Sequence, residues 1–134
     1  MATDIKPHGT TISGGTSGAF AYVVALGEIA PEAGDIETTY YGISDNARTY
    51  IAGLLEGGTV DVMLKYEDTS LATWYGVLGG AVETFTVTIP DGATFEFDGF
   101  IKKAGAEFPD ATDDDYIRQP ATIKVTGKPT FTAS

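Results

Sequence analysis

Alternating apolar and polar positions predict several short β-strands along the chain. In residues 59–67, one parity consists of apolar or aromatic residues, while mostly polar residues occupy the other; the first set is Val60, Val62, Leu64 and Tyr66. A period of two is typical of a strand with one face against a core. The same pattern predicts further strands over residues 19–26, 36–41, 82–89, 94–103 and 121–126.

Glycine and proline divide these strands. Residues 90–93 read Pro-Asp-Gly-Ala and join two strongly β-like segments, so they predict a hairpin. Residues 31–35 contain Pro31 and Gly34 and are interpreted as a second turn. Residues 43–57 are predicted to form a loop with at most one helical turn, because Gly53 and Gly57 interrupt any longer element.

One helix is predicted over residues 71–78. Leu71, Trp74, Tyr75 and Leu78 have the spacing of a single helical face, and Trp74 is interpreted as a core residue. The preceding residues 68–70 read Asp-Thr-Ser and are predicted to cap the helix through their side chains.

Six or seven short strands and one helix predict a mainly β fold. We expect an antiparallel β-sandwich or a partly open barrel with one flanking α-helix. Residues 1–18 are rich in Gly, Thr and Ser and are interpreted as a flexible N-terminal arm, so that deleting residues 1–15 should leave the fold intact. Residues 19–134 are then a single domain.

The composition excludes several classes of function. The chain has 134 residues with 19 Asp and Glu against 8 Lys and Arg, which gives a net charge of -11. Such an acidic protein is a poor candidate for holding phosphates through a basic surface. It has no cysteine, so disulfides and thiol chemistry are excluded. Its longest apolar run is too short for a spanning helix, so no membrane partner is expected.

The residues that could perform catalysis are few. His8 is the one histidine, and it lies in the predicted arm, where no catalytic triad could be built around it. The acidic run at residues 110–115 lacks the spacing of a calcium loop. We therefore expect no enzyme activity, no metal and no cofactor.

Several ordered motifs give the chain a family resemblance. Residues 36–39 read Ile-Glu-Thr-Thr, and residues 50–58 read Tyr-Ile-Ala-Gly-Leu-Leu-Glu-Gly-Gly before a strand. A Phe-x-Val-x-Ile-Pro-Asp-Gly hairpin follows at residues 85–92. The last motif, at residues 123–132, reads Ile-Lys-Val-Thr-Gly-Lys-Pro-Thr-Phe-Thr. In this order the motifs resemble the major tail tube proteins of long-tailed, siphovirus-type bacteriophages with non-contractile tails.

The resemblance implies a structural virion protein made in the host cytoplasm and located in the phage tail. Members of that family form hexameric rings that stack into a hollow tube through which DNA leaves the virion. The implied partners are further copies of the chain, a tape measure protein, a tail terminator and a distal tail protein, with DNA passing unbound. Two alternatives stay open: a tube protein of a tailocin or gene-transfer particle, or a carbohydrate-binding β-sandwich that uses Trp74, Tyr40 and Tyr41.

Two candidate surfaces follow from this hypothesis. The apolar residues of the loop over residues 43–57 either fold back on the domain or are covered by another subunit, in which case they anchor contacts between subunits or rings. These anchors are Tyr50, Ile51, Leu54 and Leu55. Polar residues that share strand faces are candidates for the lumen, or else form an ordinary solvated surface. They are Asp61, Glu67, Thr84, Thr86, Thr88, Glu96 and Asp98.

Overall fold

The computed structural model describes residues 5, 8–15, 17–20, 22–40, 42, 47–112 and 114–134. Strands dominate this part of the chain, with one helix between the fifth and sixth strands. In chain order the elements are β1 (Thr11–Ser13), β2 (Val23–Leu26), β3 (Glu32–Glu37), β4 (Tyr50–Glu56), β5 (Thr59–Lys65), α1 (Asp68–Val77), β6 (Glu83–Thr88), β7 (Thr94–Ala104) and β8 (Arg118–Thr132).

Six strands form one antiparallel sheet in the order β1-β6-β7-β8-β5-β2. The sheet curls until it nearly closes as a barrel, and its two edge strands line a common cleft of about 630 Å³. Of the two predicted architectures, the partly open barrel with one helix is therefore the one that the structure contains.

The barrel core consists of the inward positions of the strands. Val60, Val62 and Leu64 are buried, as their parity predicts. Aromatic rings fill much of the remaining volume: the centroids of Phe85 and Phe97 lie 5.7 Å apart, and Phe85 also meets Phe20 edge-on. The β6–β7 hairpin pairs as predicted around its Pro-Asp-Gly turn.

The helix begins three residues earlier than predicted. Trp74 is 1% exposed and packs against the Phe20 ring at 4.8 Å, so its assignment to the core is confirmed. The predicted caps are wrong, because Asp68, Thr69 and Ser70 lie inside the helix and the N-cap residue Glu67 makes no side-chain capping hydrogen bond. No helix in the described part of the chain is long and apolar enough to cross a membrane.

The N-terminal segment joins the domain earlier than predicted. Residues 11–13 form β1, which pairs with β6, and Ile12 is only 2% exposed within the core. Ser17 and Phe20 are buried as well. The flexible arm predicted over residues 1–18 is therefore wrong for residues 11–13, because the single apolar residue of this stretch is enough to seat it on the barrel.

The predicted alternation over residues 19–26 breaks at Tyr22. This residue has a φ of 58°, which is a strained conformation for a bulky side chain. A further irregularity in register separates Val23 from Ala25. As a result Val23 and Leu26 pack against the core, whereas Val24 faces solvent, contrary to the predicted parity.

Residues 31–57 contain the largest correction to the sequence analysis. The predicted turn at residues 31–35 and the predicted loop or helical turn at residues 47–52 are both wrong, because β3 and β4 occupy most of these positions and pair with each other. Residues 43–46 of the predicted loop lie outside the described residues. In the sequence, Gly34 and Gly53 indicate breaks in secondary structure. In the structure they allow the two strands to approach closely, because a Cβ at Gly53 would lie 3.3 Å from the carbonyl carbon of Gly34.

The last strand is longer than predicted. It runs through Arg118–Thr132 instead of stopping at residue 126. Gly127, with a φ of 81°, and Pro129 fall where the β7–β8 register shifts opposite Glu96 and Asp98. A register shift of this kind accommodates residues that a regular ladder would exclude.

Candidate functional site

The two-stranded β3–β4 sheet, called the ribbon below, has no core of its own. Every described ribbon residue except Gly53 is exposed. A two-stranded sheet is marginally stable in water unless something packs against it. The ribbon is therefore the part of this chain that most needs a covering surface.

The register shift in the ribbon decides which residues share a face. The extra residue lies in β4, opposite Gly34, so β3 alternates without interruption. One face, the Leu54 face, therefore carries the pairs Ile36–Ile51 and Glu32–Glu56. Leu54 lies on the same side, because it stands with Gly53 opposite a single residue at the bulge, and it is 92% exposed.

The opposite face, the Tyr50 face, carries the pairs Glu37–Tyr50, Asp35–Ala52 and Ala33–Leu55. Tyr50 and Leu55 are each about half exposed. Both faces of the ribbon thus combine large apolar side chains with two carboxylates.

The four anchors predicted from sequence thus lie in one element but on two faces. Ile51 and Leu54 belong to the Leu54 face, and Tyr50 and Leu55 belong to the Tyr50 face. All four are exposed, so the alternative that they fold back on the domain is wrong. The sequence analysis did not include Ile36 among the anchors. Ile36 is also exposed, and it is the strand partner of Ile51, which follows only when both segments are recognised as strands.

The polar strand residues predicted as lumen candidates come together on the outward face of the six-stranded sheet. Asp61, Thr84, Thr86, Thr88, Glu96 and Asp98 alternate with buried core residues along their strands. Hydrogen bonds tie this face across strands: Thr84 Oγ1 donates to Asp98 Oδ1 at 2.8 Å, and Thr122 Oγ1 donates to Asp61 Oδ1 at 3.0 Å.

Glu67 is the exception among these candidates. Strand β5 ends at Lys65, and Glu67 is the N-cap residue of α1, so the prediction that Glu67 and Asp61 share a strand face is wrong. The backbone N–H of Glu67 donates to Oε1 of the buried Gln119 at 3.1 Å. Its position is therefore set by the start of the helix.

One part of the outward face, the hydroxyl zone, consists of short hydroxyl side chains and two carboxylates. Residues in register across β1, β6, β7 and β8 extend the predicted set, as in the row Thr11, Thr88, Thr94 and Thr132. None of the zone residues with a partner in register is a lysine or arginine, and the one cation within its bounds is the exposed Lys128, between Thr126 and Thr130 on β8. The zone residues are Thr11, Ser13, Thr84, Thr86, Thr88, Thr94, Glu96, Asp98, Thr126, Thr130 and Thr132.

The other part of the face, the lysine zone, carries cations. Lys103 is in register with Thr122, and Lys124 is in register with Phe100 and Thr59. Lys102 sits beside them where the β7–β8 register shifts. Scarcity of cations is thus a property of the hydroxyl zone and not of the whole face, which sequence could not tell because it depends on strand pairing.

A third feature is an exposed ion pair after the acidic connection. The Arg118 guanidinium donates two hydrogen bonds to Asp115, at 2.9 and 3.1 Å, and lies 4.6 Å from the centroid of the Tyr116 ring. The hydrogen bonds from Arg118, followed by that from the N–H of Tyr116, lower the pKa of the Asp115 carboxyl. The hydrogen-bonded Asp115 carboxylate in turn raises the pKa of Arg118. The pair orders the entry into β8.

The chemistry available for catalysis or ligand binding is sparse. Among the described residues, no group of three or more His, Asp or Glu side chains comes together to hold a metal ion. Trp74 is buried, so it cannot stack on a sugar as the carbohydrate-binding alternative requires. Tyr40 is exposed, and Tyr41 lies outside the described residues.

Comparison with solved structures gives full-length fold matches. A chain in the sheath/tube terminator of the PVC extracellular contractile injection system, in its extended state, has a TM-score of 0.78 and 14% identity, covering 98% of this chain and 99% of that one. A chain in the virion of a native gene transfer agent has a TM-score of 0.75 and 16% identity, covering 97% and 100%. A chain in the PVC sheath–tube complex has a TM-score of 0.73 and 16% identity, covering 98% and 93%.

No protein-family model matches the chain, and no curated protein does. At identities of 14% to 16% the structural matches establish the fold. The chain therefore shares its fold, nearly end to end, with chains of contractile injection systems and of a gene transfer agent.

Proposed function

We propose that this chain is a non-enzymatic structural subunit of the tail of a phage-like particle, where copies of it form the tube. The observation that carries the proposal is the ribbon: a folded domain that exposes large apolar side chains on both faces of a two-stranded sheet is expected to be covered by another subunit. The shared fold with chains of tailed and injection particles supports the same conclusion.

The subunits would form hexameric rings, and the rings would stack. Contacts around a ring close by rotation, whereas contacts between rings repeat without closing and so build a filament. In this arrangement the ribbon anchors Tyr50, Ile51, Leu54 and Leu55 are buried between copies. The ends of such a tube would meet a terminator and a distal tail protein, and its lumen would hold a tape measure protein before ejection.

The hydroxyl zone is our candidate for the lumen wall. A conduit for DNA must not hold phosphates, because each neutralised phosphate releases counterions and favours binding. Threonine hydroxyls and the carboxylates of Glu96 and Asp98 offer no cation to the polyanion. Their repulsion acts over a screening length of about 8 Å at physiological salt.

The particle type is a narrower question. The motifs favour a non-contractile tail, while the shared fold extends to chains of a contractile injection system and of a gene transfer agent. A tube in any of these particles fits the proposal. The carbohydrate-binding alternative is weakened, because its main candidate for stacking on a sugar, Trp74, is buried.

Electron microscopy of concentrated wild-type protein tests the proposal, with Leu54→Asp as the decisive variant. We expect rings or tubes from the wild type and none from the variant, because a charge buried at an interface without a partner is costly. Leu54 is 92% exposed, so the monomer should keep its circular dichroism and unfolding midpoint.

Phe108→Asp is the matched control, because Phe108 is also strongly exposed but lies outside the ribbon and both zones of the sheet. It should assemble as the wild type does. A wild-type protein that stays monomeric at every concentration would contradict the proposed function, and an unfolded Leu54→Asp monomer would assign the ribbon to the intramolecular core.

A further inference from the structure

The Leu54 face of the ribbon lacks neutralising charge within its own chain. Glu32 lies directly opposite Glu56, an unfavourable cross-strand pairing. Neither glutamate has an ion pair within the described residues. The ion pair found in the ribbon region is on the Tyr50 face and joins Arg48 Nε to Glu37 Oε1 at 4.0 Å.

The lysine zone lacks acidic partners for its cations. Lys102, Lys103 and Lys124 make no ion pair within the part of the chain that the structure describes. The nearest carboxylate in register, Asp61, is already engaged by the Thr122 hydroxyl at 3.0 Å. Three cations on one sheet surface thus stand without a partner.

The shapes of the two surfaces are complementary as well. Beside the lysine zone lies a pocket of about 430 Å³ with largely apolar walls that include Leu26, Val62 and Met63. Lys103 and Asp61 also line it, and Asp61 is hydrogen-bonded to Thr122. On the ribbon, Leu54 is 92% exposed on the same face as Glu32 and Glu56. An apolar side chain beside two carboxylates therefore fits a largely apolar pocket beside the lysine zone.

We propose that the Leu54 face of the ribbon docks on the lysine zone of a second copy of this chain, with Leu54 in the pocket and Glu32 and Glu56 against Lys103 and Lys124. The inference rests on the proposed function, since it names the surface that the ribbon meets during assembly. Burial of an apolar anchor inside a charged rim is how protein interfaces obtain both affinity and register.

The docking has a consequence for the outward face of the sheet. It covers the lysines of the lysine zone with carboxylates of the neighbouring copy and leaves the hydroxyl zone open. The exposed remainder of that face then carries Glu96 and Asp98 together with Lys128. Assembly would thereby reduce the number of exposed cations that could retain a phosphate backbone.

Charge reversal tests the pairing. Glu32→Lys with Glu56→Lys, and separately Lys103→Glu with Lys124→Glu, should each raise the critical concentration for polymerisation by about tenfold or more, because like charges then face each other. The variant that carries all four substitutions should polymerise near the wild-type concentration, since the pairs are restored with opposite sign.

Asp110→Lys with Asp114→Lys is the matched control. It makes the same change in net charge as the reversed ribbon, but in the acidic connection, and should leave the critical concentration unchanged. If the reversed ribbon polymerises like the wild type, or if the fourfold variant fails although it is folded by circular dichroism, the inference is overturned.

Cross-linking gives a second readout, because the natural chain has no cysteine. Mixed Glu56→Cys and Lys103→Cys chains should form a disulfide heterodimer on oxidation of the assembled protein. Glu56→Cys mixed with Thr86→Cys, from the hydroxyl zone, should not. Tubes without the first cross-link overturn this docking while leaving the proposed function intact, whereas absence of tubes in the wild type overturns the proposed function itself.

Discussion

At the scale of single residues, Gly99 shows how closely β7 and β8 pack. It is buried, and a Cβ at this position would lie 2.5 Å from the carbonyl oxygen of Lys124 and 3.2 Å from Cγ2 of Ile123. The first of these atoms is backbone and cannot move without disturbing the ladder. Gly99→Ala should therefore destabilise the fold by about 1–3 kcal/mol in urea unfolding.

Gly105→Ala is the control for that substitution. A Cβ at Gly105 meets nothing within 4 Å, and the residue lies just beyond the end of β7. Its free energy of unfolding should stay within about 0.5 kcal/mol of the wild type. Equal effects of the two alanines would show that loss of glycine flexibility, and not the close approach, sets the cost.

The Asp115–Arg118 pair gives a residue-scale prediction about pH. The pKa of Asp115 lies below its ordinary value of 3.8, chiefly because Arg118 donates hydrogen bonds to the carboxylate. Folding lowers this pKa, so the contribution of the pair is complete above pH 3.8 and is lost as the pH falls through the folded-state pKa. Because the pair is exposed, it affects the local order of the chain more than the global free energy of unfolding.

Arg118→Gln should raise the pKa of Asp115 toward that ordinary value, as followed by NMR titration of its carboxyl carbon. The N–H of Tyr116, which donates to Asp115 at 2.8 Å, should keep part of the shift. Lys65→Gln serves as control, since Lys65 lies over the Tyr116 ring but is not hydrogen-bonded to Asp115. An unchanged pKa in Arg118→Gln would contradict this account.

At the scale of elements, β1 decides whether the N-terminal segment matters for folding. Ile12→Ala should cost about 2–5 kcal/mol, because it empties a fully buried position in the barrel. Ile5→Ala, at a residue that is 46% exposed, should stay within about 0.5 kcal/mol. Deletion of residues 1–15 should now destabilise the domain; urea unfolding of the deletion at wild-type stability would show that β1 is dispensable.

Elements with local, unambiguous signals could be predicted from the sequence. The β6–β7 hairpin and β5 have strict alternation and a turn motif beside them, so their strands and inward faces follow directly. The helix was predicted from the spacing of Trp74 and its neighbours, yet Tyr75 and Leu78 are exposed. Periodicity identifies a helix better than it identifies which of several apolar residues the core has room for.

The ribbon could not be predicted because its partner strands lack the usual signals. Gly34 and Gly53 weaken the strand pattern, and with no core behind the ribbon neither face is uniformly apolar. The four candidate anchors could nevertheless be picked out from sequence, since large apolar residues between glycines need a cover in any conformation, and their contact with another copy stays a prediction. Their division between two faces needed the register.

At the scale of the whole molecule, the net charge of -11 is unevenly distributed. Acidic residues crowd the ribbon and the connection before β8, whereas the outward face of the barrel divides into the hydroxyl zone and the lysine zone. The two ends of such a face differ in charge, so a subunit that carries it has two unlike surfaces. Head-to-tail assembly, in which unlike surfaces meet, follows more naturally from it than symmetric dimerisation.

The position of β1 in the sheet has a consequence for the order of events during synthesis. Thr11 pairs with Thr88, so the first strand made has to wait for one of the last. Closing so long a loop is entropically costly and slows folding. Until β6 has left the ribosome, Ile12 and Phe20 have no barrel to enter. The nascent chain therefore carries its ribbon before it has a finished domain, and premature pairing between ribbons is the misfolding hazard that this topology creates.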